Sequence, residues 1–199
     1  MDMTPELVLS TLTAVALGIG LSAAVGFRIF VPFTVMSVAA LTGNLQLTPG
    51  FAWIGTWPAL ILFATATVLE IGAYYIPWLD NALDTVATPA AVIAGAVVTA
   101  SVVGDISPML RWVLAIIAGG GVAGAVQTGT TLLRVGSTAT TGGVGNPVIN
   151  TAEIASSFSL SVVTVVLPLL ALAAVITLIG WGVRRLTRRR RPANAVPPG

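Results

Sequence analysis

The chain has 199 residues, of which 56% are hydrophobic and 8% charged, and its formal net charge is +2. Soluble domains carry roughly 25% charged residues; sixteen charged side chains, six of them arginines between Arg184 and Arg191, cannot cover a soluble core of this size. With a mean hydropathy of +0.98, the composition is that of an all-α integral membrane protein. Cysteine, histidine and lysine are all missing. That excludes disulfides, thiolate and His-based triads, the usual zinc ligands and Schiff-base chemistry. Any chemistry must run on carboxylates, arginines, hydroxyls, amides and backbone.

Asp2 and Glu6 make the start acidic, whereas a secretory signal opens on a positive region. The run Leu7 to Val25 is therefore read as a retained span, since a predominantly apolar run of 19 residues crosses a core of ~30 Å. Further full spans are expected at 58–77, 88–104, 109–133 and 158–183. Two shorter apolar segments, 29–42 and 147–157, have the length of re-entrant or half-membrane helices, which are tolerated where protein or a cavity covers the irregular backbone. Five to six spans result, depending on whether 29–42 crosses. Residues 1–183 form one transmembrane domain and 184–199 a basic, proline-containing tail. The positive-inside rule makes that tail cytoplasmic in a cell membrane, and its arginines suit anionic lipid headgroups. A basic patch abutting a span argues against nucleic-acid binding.

Weak self-similarity suggests an inverted repeat. Gly20-Leu-Ser-Ala-Ala-Val-Gly26 resembles Gly121-Val-Ala-Gly-Ala-Val-Gln127, and Ala66-Thr-Val-Leu-Glu70-Ile71 resembles Ile149-Asn-Thr-Ala-Glu153-Ile154. The intervals differ, at 50 and 32 residues. Many transporters are built from such repeats.

Glu70 is the first candidate. In a helix starting at Pro58 it lies ~18 Å along the axis, near the bilayer midplane. A carboxylate there costs at least ~2.5 kcal/mol, so it faces the interior with a partner. It reads as a cation or proton site, or as a static pair with Arg28. Arg28, between the first span and the first short segment, suits a bidentate carboxylate, with Glu70 or Glu153 as the partner, or snorkels to the interface. The run Ser137-Thr-Ala-Thr-Thr-Gly-Gly-Val-Gly-Asn-Pro147 reads as a glycine-rich loop ahead of a helix that Asn146 caps and Pro147 begins. The free amides of that helix would offer a site for an anion or a carbonyl. Asn150 and Glu153, three apart, share a face within it.

Asp80 and Asp84, four apart, share a helical face at the membrane surface. They could hold a divalent cation with its water, or sit on a solvated interfacial helix. The pairs Gly120/Gly124 and Ala125/Gly129 read as close helix packing. Trp53, Trp57, Tyr74, Tyr75 and Trp78 bracket one span as an aromatic belt.

Taken together, Gly26-Phe-Arg-Ile-Phe-Val-Pro32, Pro49-Gly-Phe-Ala-Trp53 with Trp57-Pro58, Leu69-Glu70, Ile76-Pro77, Asp80-Asn-Ala-Leu-Asp84, the Ser137–Pro147 run and Glu153 resemble a prokaryotic multi-pass family, domain of unknown function 4126. The similarity extends over roughly residues 10–180. It implies a compact helical membrane protein without an established activity, in which Arg28, Glu70, Asp80, Asp84, Asn146 and Glu153 form one constellation. Members often carry an acid after the second glutamate, where Ile154 stands here.

The leading functional expectation is a transporter or channel for a small solute or ion, with Arg28, Glu70, Asn146, Asn150 and Glu153 binding it. A homodimer would help so few helices enclose a pathway. A non-catalytic accessory or lipid-organising protein is the alternative, followed by a metal-dependent lipid enzyme using Asp80 and Asp84. No organic cofactor is expected.

Overall fold

The computed structural model describes residues 4–104 and 106–189, with side chains left aside at 77, 78, 80, 81, 183 and 185–189. Among the described residues every regular element is helical: α1 (Pro5–Val25), α2 (Phe30–Leu41), a 3-10 segment (Pro49–Gly55), α3 (Trp57–Ala73), α4 (Pro77–Val102), α5 (Pro108–Leu114), a π-helical segment (Ala115–Gly120), α6 (Gly121–Thr141), α7 (Asn146–Val166) and α8 (Pro168–Arg189).

Proline marks the starts. α1, the 3-10 segment, α3, α4, α5 and α7 all have proline in their first two positions. A missing N–H costs nothing at a position whose amide has no helical partner. Thr4, Thr56 and Ser107 add side-chain caps, accepting from Leu7, Ala59 and Leu110. α6 ends at Gly142 in the left-handed region (φ 64°), and Gly143 follows at φ 89°. Only glycine adopts that reversal without strain.

α1 is the central helix. From Gly20 to Val25 it is buried on all sides, and it touches α2, α4, α6, α7 and α8. Leu21, Val25, Phe33, Met36, Ile54, Phe63, Val98 and Val102 belong to the main core, with Phe33 and Phe63 stacked at 5.0 Å. α1 and α4 meet along small and hydroxylated residues: Ser22 donates to the Gly95 carbonyl (2.8 Å) and Thr99 to that of Gly18 (3.2 Å). The π-helical segment crosses α4 at equally close range. A Cβ on Gly95 would lie 2.8 Å from the Gly119 carbonyl oxygen and 2.5 Å from Ala123 Cβ.

Among the described residues, four helices are long and apolar enough to cross a membrane: Pro5–Val25, Ala82–Val102, Pro108–Thr141 and Asn146–Val166. The 3-10 segment and α3, bent by 67°, make a fifth if taken as one broken span. Large apolar side chains such as Ile61, Leu69, Ile117, Leu132 and Phe158 point outward, as lipid-facing residues do. The chain is a helical membrane protein.

The expected spans shift in four places. Residues 147–157 are no half-helix: α7 runs unbroken to Val166, and the chain breaks at Leu167 (φ −136°, ψ 69°), so 158–183 is not one span. Pro168 explains the break, because proline lacks the amide and biases its predecessor away from the helical region. The expected loop at 77–88 is the start of α4, which continues through Pro89. Ser137 to Thr141 belongs to α6 rather than to a loop. The first arginines of the basic run continue α8; residues 190–199 lie outside the described residues.

Candidate functional site

The ends of α1, α3 and α6 meet the beginnings of α4 and α7 around a charged cluster. Arg28 follows α1, Tyr74 follows α3, Asp84 is the eighth residue of α4, Arg134 stands about two turns before the end of α6, and Asn150 and Glu153 fall within the first eight residues of α7. Both arginines are almost fully buried, at 1% and 2% exposure. Glu153 Oε2 joins them, accepting from Arg28 Nη2 at 2.9 Å and Arg134 Nη1 at 3.1 Å. Asn150 Oδ1 does the same at 3.1 and 3.4 Å, while its Nδ2 donates to the Tyr74 carbonyl at 2.7 Å. Arg134 Nη2 reaches Asp84 Oδ1 at 2.6 Å.

Both cations lie against the Tyr74 ring, its centroid 3.8 Å from Arg28 Cζ and 4.9 Å from Arg134 Cζ. Two guanidiniums that share one acceptor repel each other unless anions and a π face offset their charge. Here the shared carboxylate, the shared amide oxygen and the ring together supply that compensation. Charged groups so poorly hydrated persist only when paired in this way.

Of the residues named from sequence, Arg28, Asn150, Glu153 and Asp84 come together. Arg28 selects Glu153 as its salt-bridge partner. Glu70 does something else: its two carboxylate oxygens accept from the Ile29 and Phe30 amides at 2.8 and 3.0 Å. It caps α2 from the last turn of α3, supplying the anion that a helix start favours where α2 has no side-chain cap of its own. Glu70 thus ends one helix while Glu153 lies in the third turn of another, so the two similar segments hold different places in their elements.

Asn146 corrects a second expectation. It is the first residue of α7 rather than its cap; Gly145 takes that position, without a side-chain cap. The amides there are also taken: Asn146 N donates to the Gly143 carbonyl, and Val148 N and Ile149 N to that of Gly145. The expected anion site on free helix amides is therefore closed. Asn146 instead donates through Nδ2 to Thr138 Oγ1 at 3.1 Å, tying α7 to the end of α6.

Asp84 lies on a helix as its spacing predicted, but it is held by Arg134; the Asp80 side chain lies outside the described residues. No group of three or more carboxylates with metal-holding geometry exists among the described residues. Gly120 and Gly124 pack on Val92, as read from sequence, whereas nothing lies within 4 Å of a Cβ on Gly129.

Arg134 and Tyr74 are the residues that sequence reasoning missed. Arg134 falls one residue past the span expected at 109–133, and Tyr74 read as part of an interfacial belt. One signal was readable: Gln127, Thr130 and Arg134 recur at helical spacing and are all buried, as are Asn150, Glu153, Ser157, Ser161 and Thr164 on α7. Polar residues repeating at 3 and 4 within apolar spans mark faces turned toward protein. Tyr74, by contrast, is distinguished from Tyr75 only by the fold: Tyr75 is 46% exposed and its hydroxyl pairs with Thr151 at 2.8 Å.

A cavity of about 290 Å³ opens beside the cluster, lined by Asp84, Arg134, Val135, Thr138, Ala139 and Asn146. The cavity reaches the network at Asp84, whose side chain is 16% exposed, while Arg28, Arg134 and Glu153 are almost fully buried.

The profile of the family described as Domain of unknown function (DUF4126) matches residues 15–188. The chain belongs to this family. The match takes in every residue of the charged cluster. No curated protein and no solved structure matches the chain.

Proposed function

We propose that this DUF4126 member is a small membrane transporter or channel whose solute binds at the Arg28–Glu153–Arg134–Asp84 network. One observation carries the reading: the cavity beside α6 and α7 has Arg134, Asp84 and Asn146 in its wall, so a solute entering it meets the network directly. A purely structural ion pair needs no such opening. Arg134 holds Asp84 with one nitrogen and Glu153 with another. A solute that competes for either bond rearranges the helices those acids stand on, α4 and α7. Transport by exchange of partners needs that coupling between occupancy and helix position. The C-terminal arginine run supports a cytoplasmic C-terminus in the cell membrane.

Liposome swelling tests this for solutes of every charge class. Vesicles containing the protein are placed in iso-osmotic small anions, cations and neutral solutes. Faster swelling than protein-free vesicles is expected for at least one class, and its loss in Arg134→Gln and in Glu153→Gln. No class permeating faster, or equal rates in both variants, contradicts the reading.

A second reading is a static lock in an accessory membrane protein. The mutual pairing of Arg28, Glu153, Arg134 and Asp84 favours it, because such a network also ties four helices together. Asp84 gives no support to a metal-dependent enzyme while a guanidinium occupies its carboxylate.

A further inference from the structure

We infer that the solute is a small carboxylate anion, which binds by taking the place of Asp84 on Arg134. This rests on the solute-binding reading above and names its substrate class.

The wall of the cavity is rich in donors. Arg134 presents a guanidinium, Thr138 a hydroxyl and Asn146 an amide; Asp84 is the one acid among the lining residues. Asp84 is also the more exposed of the two acids on Arg134, with its side chain 16% accessible against 4% for Glu153. Glu153 is locked further by Arg28. Asp84 is therefore the partner that can be exchanged, and its carboxylate already displays the ligand chemistry that the Arg134 edge accepts. The planar guanidinium fork matches a planar carboxylate. A cation entering the cavity would have to draw Asp84 away from Arg134, leaving a buried guanidinium short of one anion, and a neutral solute would gain little in displacing a charge-assisted bond.

Size narrows the class. A water molecule's share of liquid volume is about 30 Å³, so a space of about 290 Å³ is large enough for a solute of a few carbons. Val135 and Ala139 line one side with methyl groups, suited to a short apolar stem behind the carboxylate. Once Asp84 is displaced, its released charge lies at the open side of the cavity, and the first turns of α4 lose their tie to α6.

Binding can be measured on the full chain in nanodiscs by calorimetry. The probes are acetate, pyruvate and succinate at fixed ionic strength, with phosphate, acetamide and choline as the other arms. Saturable binding is expected for the carboxylates alone. It should be abolished in Arg134→Gln and weakened three- to tenfold in Thr138→Val, whose exposed position leaves the fold intact. Asp84→Asn is the decisive variant: with the internal competitor removed, the carboxylate should bind at least tenfold tighter, although the ion pair is gone. If Asp84→Asn does not fold, the probe series and Thr138→Val still decide. Equal binding of phosphate or acetamide, no effect of Thr138→Val, or weaker binding in a folded Asp84→Asn protein overturns the inference. Arg134-dependent swelling with a cation or neutral solute, without carboxylate binding, would sink this inference and leave transport standing. Carboxylate binding without any swelling would do the reverse.

Discussion

Glu153 is the residue on which the cluster turns, because one of its oxygens serves two buried guanidiniums. Removing a partner from a buried pair costs about 3–5 kcal/mol, most of it from the charge left behind. Glu153→Ala is therefore expected to destabilise by that amount in unfolding measurements in lipid. Glu153→Ala with Arg134→Met should cost less than the sum of the two single changes, since the double variant strands one charge fewer. Additive losses would show that the pair is not coupled. Tyr74→Leu removes the π face that both cations touch while keeping apolar bulk, and a loss of about 1–2 kcal/mol is expected. Tyr74→Phe keeps that face and should lose little.

Glu70 makes a separate prediction, because its bonds go to backbone. Glu70→Ala takes away the cap of α2 and should cost about 1–2 kcal/mol. Hydrogen exchange should accelerate at the Ile29 and Phe30 amides, whose acceptor is gone, while Glu153 keeps its two arginines. The charge of Glu70 in an apolar segment was readable as needing a partner. That the partner was a helix start on another element was not, since no local pattern pairs residue 70 with residues 29 and 30.

At the scale of elements, the crossing of α4 with the π-helical segment depends on the missing side chains of Gly95 and Gly119. Gly95→Ala would press its methyl into Ala123 and a carbonyl oxygen, and a loss of about 1–3 kcal/mol or more is expected, on the scale of overpacking. Gly129→Ala meets nothing within 4 Å. It should stabilise by about 0.5–1 kcal/mol through helix propensity. Thermal unfolding of the two variants in the same lipid separates the cases, and a destabilised Gly129→Ala would place another surface against that glycine. The sequence made Gly129 a candidate for packing and did not single out Gly95, because spacing says which residues share a face and not which face meets a neighbour. Some helix starts were more legible: Pro58 placed the start of α3 to within one residue through local chemistry alone. The end of α7 was misplaced because hydropathy continues across Leu167–Pro168, and only the backbone break separates two helices there.

For the whole molecule, the membrane class followed from composition, since too few charges exist to cover a soluble core. The bundle's arrangement did not, because it depends on which helix ends meet. Arg28, Tyr74, Asp84, Arg134 and Glu153 come from five elements, and they are joined by contacts as far as 125 positions apart in the chain. Intramembrane charges must find one another, which made a cluster predictable, but its membership required the fold. Ser157 lies one turn beyond Glu153 on the same buried face, fully enclosed and donating to the Ala24 carbonyl at 2.9 Å. A solute crossing past the network must pass this level, whereas a static lock keeps it sealed.

The absence of native cysteine makes that difference directly measurable. In Ser157→Cys, a near-isosteric change, the new thiol is the protein's only one. It is treated in proteoliposomes with a small charged methanethiosulfonate, with and without the solute that drives swelling. Transport past the network predicts labelling of the folded protein, at a rate altered by the solute. A thiol that stays unreactive until the protein is unfolded, under every solute, would contradict a pathway there and leave the cluster as a structural lock.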